Sequence, residues 1–368
     1  MRRYLNELIW IMTVLIIVIG LVALYSASFH NPRVSERIFY DQLIGALMGL
    51  GLMFYLSRFD YHNLYEVAYL LYGFTIFLLI LVMISGRLAL GAQRWLTIGP
   101  ISFQPSEFAK LTVILALARY LSGLKPALSF RYFSFWESLW GNLLVPFMVV
   151  LVPALLIFKQ PDLGTALLFF GIFFVMLFVS NVDIRYIVGL IITGLIVMPF
   201  GWLVLKPYQK DRLLVFLNPN IDPLGAGYTI IQAKIAIGSG RLFGKGWLSG
   251  TQNQLNFLPE RHTDFIFSVI GEEWGLLGTL FLLLCYFILI YCAFEIMMRI
   301  KDKFGIQICA GIIAITTLQV VINMGMVLGL CPVVGLTLPL VSYGRSSFMI
   351  FMIMMGLLLS LSKRRKIF

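Results

Sequence analysis

Leu258 to Val269 reads LPERHTDFIFSV: Glu260, Arg261, His262 and Asp264 stand immediately before a mostly apolar run that continues to Met297. Charged residues make up only 12% of the chain, so this density of ionisable side chains against an apolar segment needs its own cause. Charge beside a bilayer is costly and is kept where it performs a function.

Working outward from that boundary, long apolar runs alternate with short polar breaks along the whole chain. At 368 residues, 60% hydrophobic and a mean hydropathy of +0.93, the composition is far from the roughly half apolar, quarter charged make-up of a soluble domain. It predicts an all-α polytopic membrane protein. A net charge of +11 would point to nucleic acid in a soluble chain; here the placement of the cations matters more than their sum. The four cysteines (Cys285, Cys292, Cys309, Cys331) and three histidines (His30, His62, His262) show no zinc or CxxC spacing, which argues against a disulfide framework or a structural metal.

A spanning helix needs about 20 mostly apolar residues. Ten stretches are read as spans on that criterion: Leu8 to Phe29, Ile38 to Leu56, Leu64 to Ser85, Ser106 to Leu121, Trp140 to Phe158, Leu163 to Val179, Tyr186 to Leu205, Asp264 to Met297, Ile306 to Leu328, and Ser347 to Ser362. The first follows Arg2 and Arg3 but is too long for a signal-peptide core, so it reads as a retained helix. An even number of spans puts both termini on one side. Short loops on that side carry Arg2, Arg3, Arg58, Arg119, Lys125, Arg131, Arg185, Arg299, Lys301, Lys303 and the Lys363–Lys366 run. Those opposite carry only Arg33, Arg37, Arg87, Arg94, Lys159 and Arg345. The excess places both termini in the cytoplasm, with a single membrane domain over 1–368 and a long extracytoplasmic loop over 206–263.

Three Gly- and Pro-rich segments then fall on the outer face and read as irregular: Gly86 to Pro105, Lys206 to Thr263, and Gly329 to Ser346. YTIIQAKIAIG (Tyr228 to Gly238) suits an interfacial helix lying along the membrane surface. The apolar third segment, broken by Pro332, Gly335 and Pro339, is expected to be re-entrant or packed against protein. GSGRLFGKG (Gly238 to Gly246) lacks Walker spacing and reads as a flexible turn.

The candidate site residues each carry a plainer reading beside the functional one. In FQPSEFAK, Glu107 suits the first turn of a helix begun by Pro105, and Lys110 at i+3 lies on the same face, so the two can pair within the membrane. Such a pair is either a helix-end feature or the wall of a polar cavity. In GAQRWLTIGP, Trp95 reads as an interfacial anchor or a ligand contact, whereas Arg94 is suited to bidentate binding of phosphate. Asp162 in KQPDLGT is a turn residue or a substrate contact. Lys206, Lys210 and Arg212 anchor headgroups or bind phosphate. Thr263 is expected to cap the next helix with Asp264 in its first turn, or else Asp264 is a general base poised between water and hydrocarbon.

Taken together, LPERHTDFIFSVIGEEWGLLG, RWLTIGPISFQPSEFAK, KQPDLGT, FLNPNIDPLGAGY and LPLVSYGRSS resemble the SEDS family (shape, elongation, division and sporulation) over nearly the whole chain. PERHTDF is more like the elongation members than the division members, in which an alanine commonly takes the arginine's place. The resemblance implies a peptidoglycan glycosyltransferase that polymerises lipid II on the outer face of the bacterial cytoplasmic membrane. It implies a class B penicillin-binding protein transpeptidase as partner. It puts the family's essential aspartate on Asp264, its arginine and tryptophan on Arg94 and Trp95, its intramembrane pair on Glu107 and Lys110, and its loop glutamine and arginine on Gln209 and Arg212. Arg261 and His262 would tune the base or touch phosphate, and Glu260 would be structural. Arg345 departs from the family's SYGGS, so either that position is not left-handed here or the segment is rearranged.

The implied chemistry joins an α-linked pyrophosphate donor to a 4-hydroxyl with inversion. One carboxylate suffices, because cations neutralise the leaving pyrophosphate; Arg94, Lys110, Arg212 and Arg261 are the candidates. No clustered carboxylates require a metal, and a divalent cation (Mg or Mn) on the pyrophosphate stays open. A flippase for the lipid-linked precursor would share the helices, the ion pair and the broken segments. A non-catalytic scaffold would tolerate substitution of Asp264.

Overall fold

The computed structural model describes residues 2–29, 32–89, 92–98, 101–124, 140–180, 182–225 and 227–363. Lys125, Arg131, Arg364, Arg365 and Lys366 of the charge pattern, and His30, lie outside the described residues. The chain is an all-α polytopic membrane protein. In order come α1 (Arg2–Ser28), α2 (Pro32–Leu56), α3 (Asn63–Ser85), strands β1 (Arg87–Ala89), β2 (Ala92–Ile98) and β3 (Ile101–Phe103), and α4 (Pro105–Ser122). A π-helical turn, Trp140–Leu144, leads into α5 (Val145–Lys159), then α6 (Leu163–Val179) and α7 (Ile184–Val204). The long loop contains α8 (Pro207–Leu217), α9 (Tyr228–Gly240) and α10 (Thr251–Gln254). The last three helices are α11 (Ile266–Met297), α12 (Lys303–Leu328) and α13 (Arg345–Lys363).

Among the described residues, eight helices are long and apolar enough to cross a membrane: α1, α2, α3, the Trp140–Lys159 unit, α7, α11, α12 and α13. Of the other two expected spans, α6 is apolar but only 17 residues long, and α4 carries Glu107, Lys110 and Arg119 within 18 residues. Neither therefore meets the same criterion of length and apolarity. Of these eight, α12 and α13 are the most enclosed, with 67% and 83% of their apolar stretches buried against 6% for α7, and α4 is buried over most of its length. Around them, α13 packs on α2, α12 on α4, α6 and α11, and α1 on α11.

The segment between α3 and α4 is not irregular as expected. It folds into a three-stranded antiparallel sheet, with Arg87 opposite Trp95 and Leu96 opposite Phe103. Two strands of three residues are too short to register as alternation, and pairing rather than propensity holds them. The expected interfacial stretch is helical as α9. It docks on α11 and α12 through Ile230, Ala233 and Ala236, and Gly240 approaches so closely that a Cβ there would stand 1.9 Å from the Gly271 carbonyl oxygen.

The glycine-rich turn is fixed rather than flexible. Gly244 and Gly246 take φ of +80° and +98°, and the amides of Lys245 and Gly246 donate to the carbonyls of Glu272 and Glu273 at 3.0 Å. The receiving helix is itself broken at Gly275 (φ +66°), which frees Leu276 and Leu277 to donate to Arg241 and Leu242. The Gly329–Ser346 segment is shielded by protein: Leu336, Leu338, Leu340 and Val341 are buried. All four cysteines are free.

Candidate active site

Several of the segments between helices converge and enclose a cavity of about 880 Å³. Its wall is assembled from the β-sheet (Trp95, Thr97, Ser102), the start of α4 (Gln104, Glu107), the α5–α6 corner (Pro161, Asp162, Thr165) and the α8 region (Lys206, Tyr208, Arg212). The Glu260–Asp264 turn and the Val334–Ser347 segment complete it, with Arg37 reaching in from α2. A neighbouring cavity of about 330 Å³ shares Tyr208, Arg212, Glu260 and Asp264 with the first. Asp264 thus stands on the wall between two cavities.

Asp264 is not a helix cap. α11 begins at Ile266, its N-cap residue is Phe265 with no side-chain bond, and Thr263 Oγ1 instead donates back to the Glu260 carbonyl at 3.2 Å. The carboxylate is left free for chemistry while the backbone is held from behind. Asn323 Nδ2 donates to the Asp264 carbonyl at 2.9 Å and to the Leu336 carbonyl at 2.7 Å. Ser342 Oγ donates to the Thr263 carbonyl at 2.6 Å, and the Tyr343 amide to the His262 carbonyl at 2.9 Å. Gly335, at φ +75°, leaves open the space beside Asp264; a Cβ there would sit 3.5 Å from Oδ2.

Burial pushes the Asp264 carboxyl up to about 6, with Glu260 and Asp162 adding to the rise while Arg212 and Arg94 oppose it. His262 faces the cavity with its ring 6.2 Å from that of Tyr343, and burial pushes the imidazole below its ordinary value. A neutral imidazole here accepts or donates a hydrogen bond without adding charge.

The cations sort by where their side chains turn. Arg94 lines the cavity while Nε donates to the Gln160 carbonyl at 3.0 Å and Nη2 to that of Pro161, which ties β2 to the α5–α6 corner. Arg212 faces both cavities, donates to the Val333 carbonyl at 3.3 Å and lies 5.9 Å from the Tyr208 ring. Lys206 also lines the larger cavity, whereas Lys210 lies over the Trp202 ring at 5.7 Å. Arg261, next but two to Asp264, turns the other way: Nε donates to the Ala27 carbonyl at 2.5 Å and Nη1 to that of Asn253 at 2.9 Å, so it braces the loop against α1.

Lys110 is buried and pairs with Glu107 Oε1 at 2.6 Å; Glu107 lines the cavity and Lys110 sits behind it. Asp162 caps α6 by accepting from the Thr165 amide (3.1 Å) and hydroxyl (3.0 Å), yet also lines the cavity. Gln209 is buried and accepts from the Lys206 amide at 3.0 Å, closing the first turn of α8 away from the cavity wall. Sequence reading passed over Arg37, Gln104, Tyr208, Tyr343 and the cavity-facing role of Arg345. Gln104 and Tyr208 lie inside stretches already singled out; Arg37 carries no local signal.

A family model for the FtsW, RodA and SpoVE cell cycle proteins matches residues 6–367. The chain belongs to this family. It is similar to the peptidoglycan glycosyltransferase MrdB of Escherichia coli K12, at 40% identity over 99% of this chain and 95% of the relative. It is also 33% identical to the peptidoglycan glycosyltransferase RodA of Treponema pallidum over 94% and 95% of the two chains. A solved structure described as coordinating polymerization and crosslinking in a peptidoglycan synthase complex superposes with a TM-score of 0.80 at 34% identity, covering 96% of each chain. The rod shape determining protein RodA of Thermus thermophilus follows at 0.70 and 31%, covering 96% and 95%. At Arg345 this member of the family departs from SYGGS without strain: the residue has no positive φ and opens α13.

Proposed function

We propose that the chain is a peptidoglycan glycosyltransferase that polymerises lipid II into β-1,4 glycan strands during cell elongation, with Asp264 as general base. The observation that carries the mechanism is the place of Asp264, which caps no helix, on the wall of a large cavity that Arg94, Lys206 and Arg212 also line, so that a base and the cations for a leaving pyrophosphate face one space. Asp264 takes the proton of the acceptor 4-hydroxyl as its oxygen attacks the donor anomeric carbon. The bond from that carbon to pyrophosphate breaks on the opposite face, inverting the centre. Arg94, Lys206 and Arg212 face the cavity and neutralise the departing pyrophosphate; Lys110 and Arg261, turned elsewhere, hold structure instead. Among the described residues no three His, Cys, Asp or Glu side chains converge on a metal position, so a magnesium or manganese ion would be carried by the pyrophosphate itself.

The cavity is lined by the segments that follow α3, α5, α7 and α12, by the turn that leads into α11 and by the opening turns of α2, α4, α6 and α13, which supports alternating spans with both termini cytoplasmic. The site then faces outward from the bacterial inner membrane. A class B penicillin-binding protein transpeptidase is the crosslinking partner, a reading supported by the similarity to the peptidoglycan synthase complex. Detergent-purified protein given lipid II, alone and with that partner, is expected to make glycan polymer without ATP. Lipid translocation in vesicles with no polymer formed would instead make it a flippase.

The raised carboxyl fixes the sign of the pH dependence. Activity requires the ionised base, so the rate is expected to climb as pH rises through about 6. Stability runs oppositely: between the usual carboxylate range and about 6 the folded chain holds a proton that the unfolded chain has released, so this group's stabilising contribution is lost as pH rises through that window. Glu260→Gln should move the ascending limb to lower pH and Arg212→Gln to higher pH. A limb that ignores both changes belongs to another group.

A further inference from the structure

Two separate groups of cations face the larger cavity. The first, Arg94, Lys206 and Arg212, belongs to β2 and the α8 region, with Arg94 bonded to the α5–α6 corner. The second is on the other elements: Arg345 at the start of α13 donates from Nη2 to Asp41 Oδ2, and Arg37 Nε stands 4.0 Å from the same oxygen. Arg37 and Arg345 both line the cavity, and Arg37 keeps 82% of its side chain exposed. Among the described side chains, one carboxylate stands against two guanidiniums, which leaves a positive charge presented where α2 meets α13. A simple clasp between two helices needs only one arginine.

The reaction proposed above has two substrates, each an anion. The first cation group neutralises the leaving pyrophosphate, which leaves the anionic group of the other substrate without a partner. From this geometry we infer that Arg345 and Arg37, bracketing Asp41, form a second oxyanion subsite that takes a phosphate or carboxylate of the other lipid-linked substrate. The inference rests on the glycosyltransferase reading. A planar guanidinium matches either oxyanion in bidentate fashion. Asp41 has the role of holding the two arginines in place while they wait, so it competes with the ligand for the same donors.

That competition separates a binding site from a clasp. In an Asp264→Asn background, which stops turnover, lipid II affinity is measured in detergent together with the thermal midpoint. Arg345→Gln is expected to weaken binding about ten-fold, the low end for a hydrogen bond to a charged group, and Arg345→Lys to restore part of it. Asp41→Asn, which frees both guanidiniums, is expected to tighten binding. Unchanged affinity in Arg345→Gln overturns the subsite, and so does an equal weakening by Arg345→Gln and Asp41→Asn in step with the midpoint, which is what a clasp alone predicts. Repeating the pair with a lipid-linked disaccharide lacking the peptide identifies the group: a persisting ten-fold loss assigns phosphate, and a vanished loss assigns a peptide carboxylate. Failure of the Asp264→Asn parent itself to bind lipid II would bring down the glycosyltransferase reading, and the subsite with it.

Discussion

Replacing Asp264 with asparagine is expected to lower the polymerisation rate about a thousand-fold while leaving the protein folded, within the range attributed to a general base. Asparagine keeps the shape of the side chain and cannot take the acceptor's proton. Among the described residues, the contacts that position this residue do not use the carboxylate: Asn323 holds its backbone carbonyl, and Ser342 holds that of Thr263. Burial raises the cost of ionising Asp264, so the neutral amide relieves a penalty present at neutral pH, and the thermal midpoint should stay level or rise. The base and the fold therefore respond in opposite directions. Single-turnover polymerisation with purified Asp264→Asn protein, run beside a melting curve, reads both. Polymer at the parental rate would remove Asp264 from the chemistry, and a collapsed midpoint would show the carboxylate to be structural.

Asp264 stands out in sequence as a candidate because its cost is local: an ionisable group at the mouth of an apolar helix is conspicuous against 12% charge wherever the rest of the chain goes. Eight of the expected spans were legible for the same reason, since length and apolarity are properties of a single stretch; α4, with its three charges, and α6, at 17 residues, do not meet that test. Direction was not legible. Arg261 lies closer to Asp264 in sequence than any other arginine but turns to the Ala27 carbonyl, while Arg212, in a separate helix, reaches the cavity. Lys110 matches an expected pairing with Glu107 yet ends behind its partner rather than in front of it. Arg37 and Arg345 mean little separately, and only the packing of α13 on α2 puts them on one carboxylate. The small sheet carrying Trp95 likewise depends on pairing between strands that are unremarkable one at a time.

Glu272 makes the same point in the opposite sense, and its removal is expected to have the largest effect on stability. The residue is fully buried in α11 and accepts from Lys245 Nζ at 2.9 Å, Thr251 Oγ1 at 3.2 Å, and the amides of Gln252 at 3.0 Å and Asn253 at 3.2 Å. Its neighbour Glu273 accepts from Ser26 Oγ and, at 3.3 Å, from Asn253 Nδ2, which joins the loop to α1. The Asn253 carbonyl then receives Arg261, so the clasp leads directly into the turn that carries Asp264. Glu272→Ala strips a partly exposed lysine of its counter-charge and leaves two amides without an acceptor, at a cost of about 3 kcal/mol, the low end for breaking a buried pair from one side, because water still reaches Lys245. A shift of the base by about 1 Å would in turn cost about a hundred-fold in rate. Glu272→Gln keeps an oxygen for the amides and loses only the charge, so it should fall between the alanine variant and the parent in both melting temperature and rate. A catalytic acid at this position would behave differently: glutamine and alanine would be equally inactive, even though only alanine would lower the midpoint strongly. Measuring both quantities for both variants therefore separates a residue that positions Asp264 from one that shares its chemistry.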